Sequence, residues 1–272
     1  MKHILFLTDF SDTARNSIVY GMEMFKNKDI NFYILNAYNI ETPGSPYILQ
    51  IVEDLKMESE KGLRAELDII KNKYPSENIQ TFSIYGSLVE SINKISEEKN
   101  KIFDLIILGC RGETIIENIF LGSNAFDVVK YINNPLIVVP QNAVFYKPKK
   151  ITFAADFNNL DDNLLHSFKM IVSFYDAEII FANVGKEYDI FSDQEKKQYN
   201  DYFQSNKISF YSIEESDIHK GIIKFNDNQE GDLIVLIRNN YSFIERFFKP
   251  SLTKKMIMRS HKPMIIFHNI KK

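Results

Sequence analysis

Residues 104–140, DLIILGCRGETIIENIFLGSNAFDVVKYINNPLIVVP, limit this chain to few architectures. An apolar burst at 105–108 ends at Gly109; Gly112 follows, and then Gly122 with Ser123. A helical pattern runs from Asn124 to about Asn133, and Pro135 opens a second burst at 136–139. Strand, glycine loop, helix, strand is an α/β unit. Both bursts are too continuous for half-exposed strands and suit the centre of a parallel sheet. Glycines let the backbone turn tightly and come close to a ligand, and a helix's first turn offers amide donors to an anion. In open α/β sheets the ligand crevice lies beyond the carboxyl ends of the strands, where Gly109 falls. The loop is therefore predicted to hold a phosphate group. Gly109, Gly112 and Gly122 shape it, and Ser123 either donates a hydroxyl or caps the helix. With only 10 glycines in 272 residues, three in one loop stand out from the background. The loop is neither a Walker A sequence nor G-x-G-x-x-G, which argues against a P-loop NTPase and a dinucleotide oxidoreductase.

The same alternation fills the first half. Residues 4–7 read as a central strand, followed by turn and cap chemistry at Thr8, Asp9 and Ser11. Ala14, Ile18, Met22 and Phe25 then mark one face of a helix. A second strand at 31–37 leads into a polar loop with Pro43, Gly44 and Pro46. A long helix over about 48–74 carries the stripe Leu55, Leu63, Leu67 and Ile70. A third strand at 79–85 ends at Gly86 and Ser87, and Leu88, Ile92 and Ile95 mark a short helix. Five strands alternating with four helices predict a doubly wound α/β domain.

The second half is a faint copy of the first. FLTDF at 6–10 corresponds to FAADF at 153–157, DLIIL at 104–108 to DLIVL at 232–236, and NPLIV at 134–138 to KPMII at 262–266. The segment 144–150, with Pro148 and three lysines, separates the copies, so domains are predicted at 1–146 and 147–272. The second copy is shorter in its second helix, around 187–203. Its counterparts of Gly109, Gly112 and Gly122 are Ile237, Asn240 and Pro250, and only Ser251 keeps the place of Ser123. One competent site per chain is expected, in the first half. The basic run Arg246, Lys249, Lys254, Lys255, Arg259 and Lys262 reads as a solvated helix face, with an anion or partner site as the alternative.

Several function classes are disfavoured. A net charge of -3 gives no general attraction to nucleic acid. No apolar run is long enough for a membrane span, and MKHILFLTDF reads as a first strand rather than a signal peptide. One cysteine, Cys110, excludes an intrachain disulfide and fits a reducing, cytoplasmic compartment. It reads as a small packed residue rather than a reactive thiol. The five histidines lack metal-ligand spacing, so no protein-built metal site is assigned. Mg or Mn would arrive through nucleotide phosphates. Asp9, just past the first strand, is a candidate ligand contact, with capping beside Ser11 as the ordinary alternative. Arg111 would neutralise phosphate if it points inward and is solvated if it does not. Gly86 and Ser87 either line the crevice or form a turn and helix cap.

On G-x2-G-x9-G-Ser from Gly109 to Ser123, on Asn134-Pro135 with the strand after it, and on Asp9, the chain resembles the universal stress protein family in its tandem form. The likeness is strong in the first half and weak in the second. It implies two tandem Rossmann-like, adenine nucleotide alpha hydrolase-like domains, each with a five-stranded parallel sheet flanked by helices. It implies ATP or AMP held by Gly109, Gly112, Gly122 and Ser123, with Asp9 and Ala37 flanking the adenine; Arg111 and Asn124 complete the candidate set. It also implies that the strands near Leu136 and Met264 pair within the chain as a pseudo-dimer, with a homodimer as the other arrangement. The function so implied is an ATP- or AMP-binding sensor or regulator with weak or no hydrolysis. The alternatives are a scaffold for a protein partner, independent of nucleotide, and a slow ATP hydrolase. Membership of such a family does not itself specify a reaction.

Overall fold

A computed structural model describes residues 1–40, 47–98, 103–112, 119–120, 123–155, 160–185, 191–204, 206–215, 218–238 and 262–269. The first half lays out β1 (His3–Leu7), α1 (Asp12–Met24), β2 (Asn31–Tyr38), α2 (Ile48–Lys73), β3 (Asn78–Tyr85) and α3 (Leu88–Glu98). It continues with β4 (Leu105–Gly112), a short β5 (Ile119–Phe120), α4 (Ser123–Tyr131) and β6 (Leu136–Pro140). The second half follows with β7 (Lys150–Ala154), α5 (Asp162–Val172), β8 (Glu178–Gly185), α6 (Asp193–Tyr202) and β9 (Ile208–Glu214). It ends with α7 (Ile218–Asn228), β10 (Leu233–Arg238) and β11 (Met264–His268). Two compact units result: Met1–Arg111 with Leu121–Phe145, and Gly112–Phe120 with Tyr146–Lys272.

The first unit is doubly wound. Its strands run in the order β3-β2-β1-β4-β6 and pair in parallel throughout. The apolar bursts of β1, β4 and β6 are buried, as strands covered on both faces must be. α1 and α2 share one face and are tied by Arg15, whose guanidinium donates to the Glu66 carboxylate at 2.9 and 3.1 Å. The Glu66 side chain is 1% exposed and that of Arg15 32%, so the carboxylate is out of water and depends on a partly exposed guanidinium. A second tie joins their far ends, where the Tyr74 hydroxyl donates to Glu23 at 2.6 Å. α3 packs with α4, and right-handed crossovers place that pair on the opposite face.

The second unit repeats this with shorter parts. Its strands run β11-β10-β7-β8-β9, again in parallel. Its α6 has 10 residues where α2 has 26, which accounts for the shortening seen in the sequence. A cluster of Phe153, Phe168, Phe181, Phe203 and Tyr199 fills its core. The aspartate of DLIIL and DLIVL does the same work in each copy. Asp104 Oδ2 accepts the backbone amides of Lys2 and His3 at 2.7 and 2.9 Å, and Asp232 Oδ2 accepts those of Lys149 and Lys150 at 2.7 and 3.0 Å. Each carboxylate satisfies donors at the start of a central strand.

The expectation of two separate five-stranded sheets is corrected. The strands follow one mixed, mostly parallel path of ten, β3-β2-β1-β4-β6-β11-β10-β7-β8-β9, flanked by helices, with β5 paired to β4 off the path. The reason lies in β6 and β11, which are buried almost throughout. Strands covered on both faces behave as interior strands, whereas the expectation had placed each of them at the rim of its own sheet.

Removing the partner of a desolvated carboxylate strands that charge. Arg15→Ala is therefore expected to destabilise the fold by about 3 kcal/mol in urea unfolding. Lys56→Ala, which loses only an exposed pair with Glu60, should change it by less than about 1 kcal/mol. The carboxyls of Glu23 and Glu178 are held below their usual range, Glu23 by the Tyr74 hydroxyl and then the nearby lysines, Glu178 by the Ser209 hydroxyl and then Lys207. A depressed carboxylate contributes stability that is present above its unfolded value and is lost as pH falls through the folded one. Unfolding midpoints should thus drop as pH falls below about 4.5, and Glu23→Gln should flatten that drop.

Candidate functional site

Three of the sequence-predicted residues, Asp9, Ala37 and Gly109, lie toward the carboxyl edge of the first sheet. Strand order reverses between β1 and β4, whose outgoing connections lead to opposite faces. In doubly wound sheets this switch point is where a crevice opens. Asp9 lies just past β1, and Gly109 lies on β4, two residues beyond the last β1–β4 pair, Phe6 with Ile107. Ala37 stays within β2, paired with Ile84 of β3. Ser123 and Asn124 open α4 and are both exposed. Gly122 lies outside the described residues, as does the side chain of Arg111. Structure thus brings Asp9, Ala37 and Gly109 to one edge of adjoining strands.

β4 runs further than its apolar burst, through Gly109, Cys110 and Arg111 to Gly112. Gly109 pairs with Val139 and Cys110 with Pro140, so the first glycine belongs to the sheet and not to the loop. Its missing Cβ serves helix packing. A Cβ there would sit 2.6 Å from the Thr13 carbonyl oxygen in the first turn of α1, a distance no real contact tolerates. α1 also crosses close to the sheet at Gly21, where a Cβ would run into the side chains of Phe6 and Ile107. In the second unit the register pairs Ile237 with Phe267, the place of Gly109 with Val139. Ile237 is buried there, and the connection before α5, residues 155–161, is longer than the connection before α1, residues 8–11.

The turn after β1 is tightly braced. Thr8 is buried; its amide donates to the Leu35 carbonyl at 2.9 Å, and its own carbonyl accepts the Asn36 side-chain amide at 2.8 Å. The Phe10 amide donates to the Thr8 hydroxyl at 3.0 Å, and the Ser11 amide to Asp9 Oδ1 at 3.0 Å. Ser11 then caps α1, its hydroxyl accepting the Ala14 amide at 3.2 Å. Asp9 is exposed and supports the turn; the cap itself is Ser11. Between them Phe10 adopts φ +64°, a left-handed conformation that costs a bulky residue about 1–3 kcal/mol.

Other candidates resolve into ordinary roles. Cys110 is buried, and burial pushes its thiol up to about 12, so it is a packed, unreactive residue. Gly86 takes φ +136° and donates its amide to Tyr38 at 2.9 Å. Ser87 and Glu90 form a reciprocal cap for α3, with the Ser87 amide donating to Glu90 at 2.9 Å and the Glu90 amide to Ser87 Oγ at 3.2 Å. That is the turn-and-cap reading. Sequence reasoning missed Gly62, on the inner side of α2, where a Cβ would lie 2.5 Å from the Phe10 ring. The signal was available: an isolated glycine inside a helix costs about 1 kcal/mol and marks a close approach.

A doubly wound α/β domain with its candidate residues at the switch point defines the Rossmann-like class whose members take ligands at that edge. The family model for the universal stress protein family matches residues 1–140. The chain belongs to the universal stress protein family, in a duplicated form. Universal stress protein MJ0577 of Methanocaldococcus jannaschii is 26% identical over 159 residues, covering 51% of this chain and 94% of that one. Universal stress protein Slr1230 of Synechocystis sp. is 22% identical over 298 residues, covering 98% of this chain and all (100%) of that one. The crystal structure of a universal stress protein from Archaeoglobus fulgidus superposes with a TM-score of 0.75 at 17% identity, covering 98% of each chain. Among the described residues no helix is long and apolar enough to cross a membrane, and no three acidic, histidine or cysteine side chains could together hold a metal ion.

Gly109→Ala is expected to destabilise the protein by about 1–3 kcal/mol in urea unfolding, since a Cβ would push into backbone rather than a yielding side chain. A change within about 0.5 kcal/mol would mean that α1 moves off β4 freely.

Proposed function

We propose that the first domain, residues 1–146, binds an adenine nucleotide, ATP or AMP, and that the protein acts as a sensor or regulator with little or no hydrolysis. The observation that carries this reading is the coincidence of the glycine sequence with the β1–β4 switch point. One universal stress protein has been solved in complex with cAMP.

Charge supports an orientation for the ligand. The first turn of α1 carries Asp12 and is preceded by Asp9, so a phosphate group there would meet two carboxylates. The first turn of α4 carries no acidic residue and opens with Ser123 and Asn124. Free amides and the dipole of that helix favour an anion. In this arrangement the phosphates lie at α4, whose preceding sequence carries Arg111, Gly112 and Gly122, and the nucleoside lies over Asp9 and Ala37. The exposed Asp9 carboxylate, with Oδ1 engaged by Ser11, has a second oxygen to accept a ribose hydroxyl or adenine amine. Mg or Mn would be held through the phosphates, which supply the hard oxygens such ions prefer. The second domain, 147–272, is read as degenerate, because Ile237 fills the place of Gly109.

Isothermal titration of the full chain with ATP and magnesium should show saturable binding at one site. Gly122→Val should weaken it at least about tenfold by placing a branched side chain in the approach to the phosphates. Lack of binding by the folded wild-type chain would sink the reading. Turnover that survives purification and falls with Asp9→Ala would replace the sensor with an ATP hydrolase.

A further inference from the structure

We propose that Phe10 is a positioning residue: wedged against Gly62 of α2, it holds the Asp9 carboxylate at the β1–β4 switch point without touching ligand. The inference rests on the nucleotide-binding reading above and adds a residue to it.

Phe10 occupies a conformation that L-residues with large side chains avoid, because Cβ crowds the following carbonyl at positive φ. Only the surroundings can keep it there. Two hydrogen bonds brace the turn on either side of it, from Phe10 to the Thr8 hydroxyl and from Ser11 to Asp9 Oδ1, both at 3.0 Å. Both belong to the turn itself and would be lost together if it relaxed. The restraint from outside is the ring. It lies so close to Gly62 that a Cβ would stand 2.5 Å from both Cε2 and Cζ. Glu66, one turn further along α2, is the buried partner of Arg15 on α1. Residues four apart share a helix face, so ring and ion pair clasp the start of α1 from consecutive turns of one helix. If the ring leaves Gly62, φ at residue 10 can return to the negative region. The Ser11–Asp9 bond then opens and the carboxylate swings away from the crevice. Phe10 also stands in the FLTDF segment that the second copy echoes as FAADF.

The test is a double-mutant cycle read on ATP–magnesium affinity of the full chain, with urea unfolding measured in parallel. Asp9→Asn and Phe10→Ala are each expected to weaken binding about tenfold, and the double variant to bind no more weakly than Asp9→Asn alone. The unfolding curves establish that each variant is folded under the conditions of the titration. Phe10→Tyr, which keeps the ring, should bind like wild type, whereas Gly62→Ala, which displaces it, should bind more weakly. Phe10→Leu replaces Phe10→Ala in the cycle if the alanine variant does not fold. Wild-type affinity in Phe10→Ala, or losses that multiply in the double variant, would overturn the positioning role while leaving nucleotide binding intact. Wild-type chain that does not bind ATP would instead remove the reading beneath it, and the proposal with it.

Discussion

The first domain depends on how closely α1 lies across the sheet. Two glycines permit it: Gly21 on the helix over Phe6 and Ile107, and Gly109 on β4 beneath Thr13. Once α1 is seated, its other groups find their partners. Arg15 reaches the buried Glu66 on α2, and the Asn16 side-chain amide donates to the carbonyls of Pro140 and Ala143 at 3.3 and 3.0 Å, past the end of β6. The connection from β1 is correspondingly short, and Thr8 to Ser11 must turn within it. The strained φ of Phe10 is the local consequence of a global constraint. Packing distance, turn conformation and the direction of Asp9 are one problem with one solution.

The second copy separates what the fold requires from what this close approach requires. The strand-start device survives duplication, with Asp104 and Asp232 each receiving two backbone amides. So does the first rung of the neighbouring strand, where the Asn31 amide donates to Lys2 and the Glu178 amide to Lys149, both at 2.8 Å. What does not survive is the bare backbone on the fourth long strand. Ile237 has a side chain where Gly109 has none, and the chain before α5 is longer than its counterpart. A sheet accepts isoleucine at that place readily, since β-branched residues fit a buried strand. The loss is therefore a loss of approach and not of foldability.

Much of this was legible because its signals are local and periodic. The bursts at 4–7, 105–108 and 136–139 could only be buried strands, and the stripes of α1 and α2 announced their inner faces. Two features were not legible, for different reasons. β4 continues past its burst because Gly109 and Cys110 find ladder partners in Val139 and Pro140, and pairing depends on a strand remote in sequence. A single sheet path in place of two depends on which strands join one sheet, which no local pattern encodes. The aspartates were half legible. Asp9 stands out by its place after β1, but the division of labour in which Ser11 caps and Asp9 braces the turn is set by hydrogen bonds that spacing alone does not fix. Phe10 and Gly62 lay in plain view and were passed over, since their meaning is a contact between residues far apart in the chain.

Under the proposed reading, the same geometry favours binding over reaction. Hydrolysis of a terminal phosphate needs a group placed to orient water near that phosphorus. In the proposed arrangement the phosphates belong at the start of α4, the end of the crevice free of first-turn acid, and Asp9 belongs at the nucleoside end. One Asp9 oxygen is already committed to the Ser11 amide, so the carboxylate is fixed in direction as well as in place. Moving it to the phosphates would break the turn and the α1 cap that follows it. A carboxylate tied to helix packing in this way is well suited to report that a ligand is present, because what it contacts is coupled to where α1 and α2 lie. It is poorly suited to serve as a mobile base.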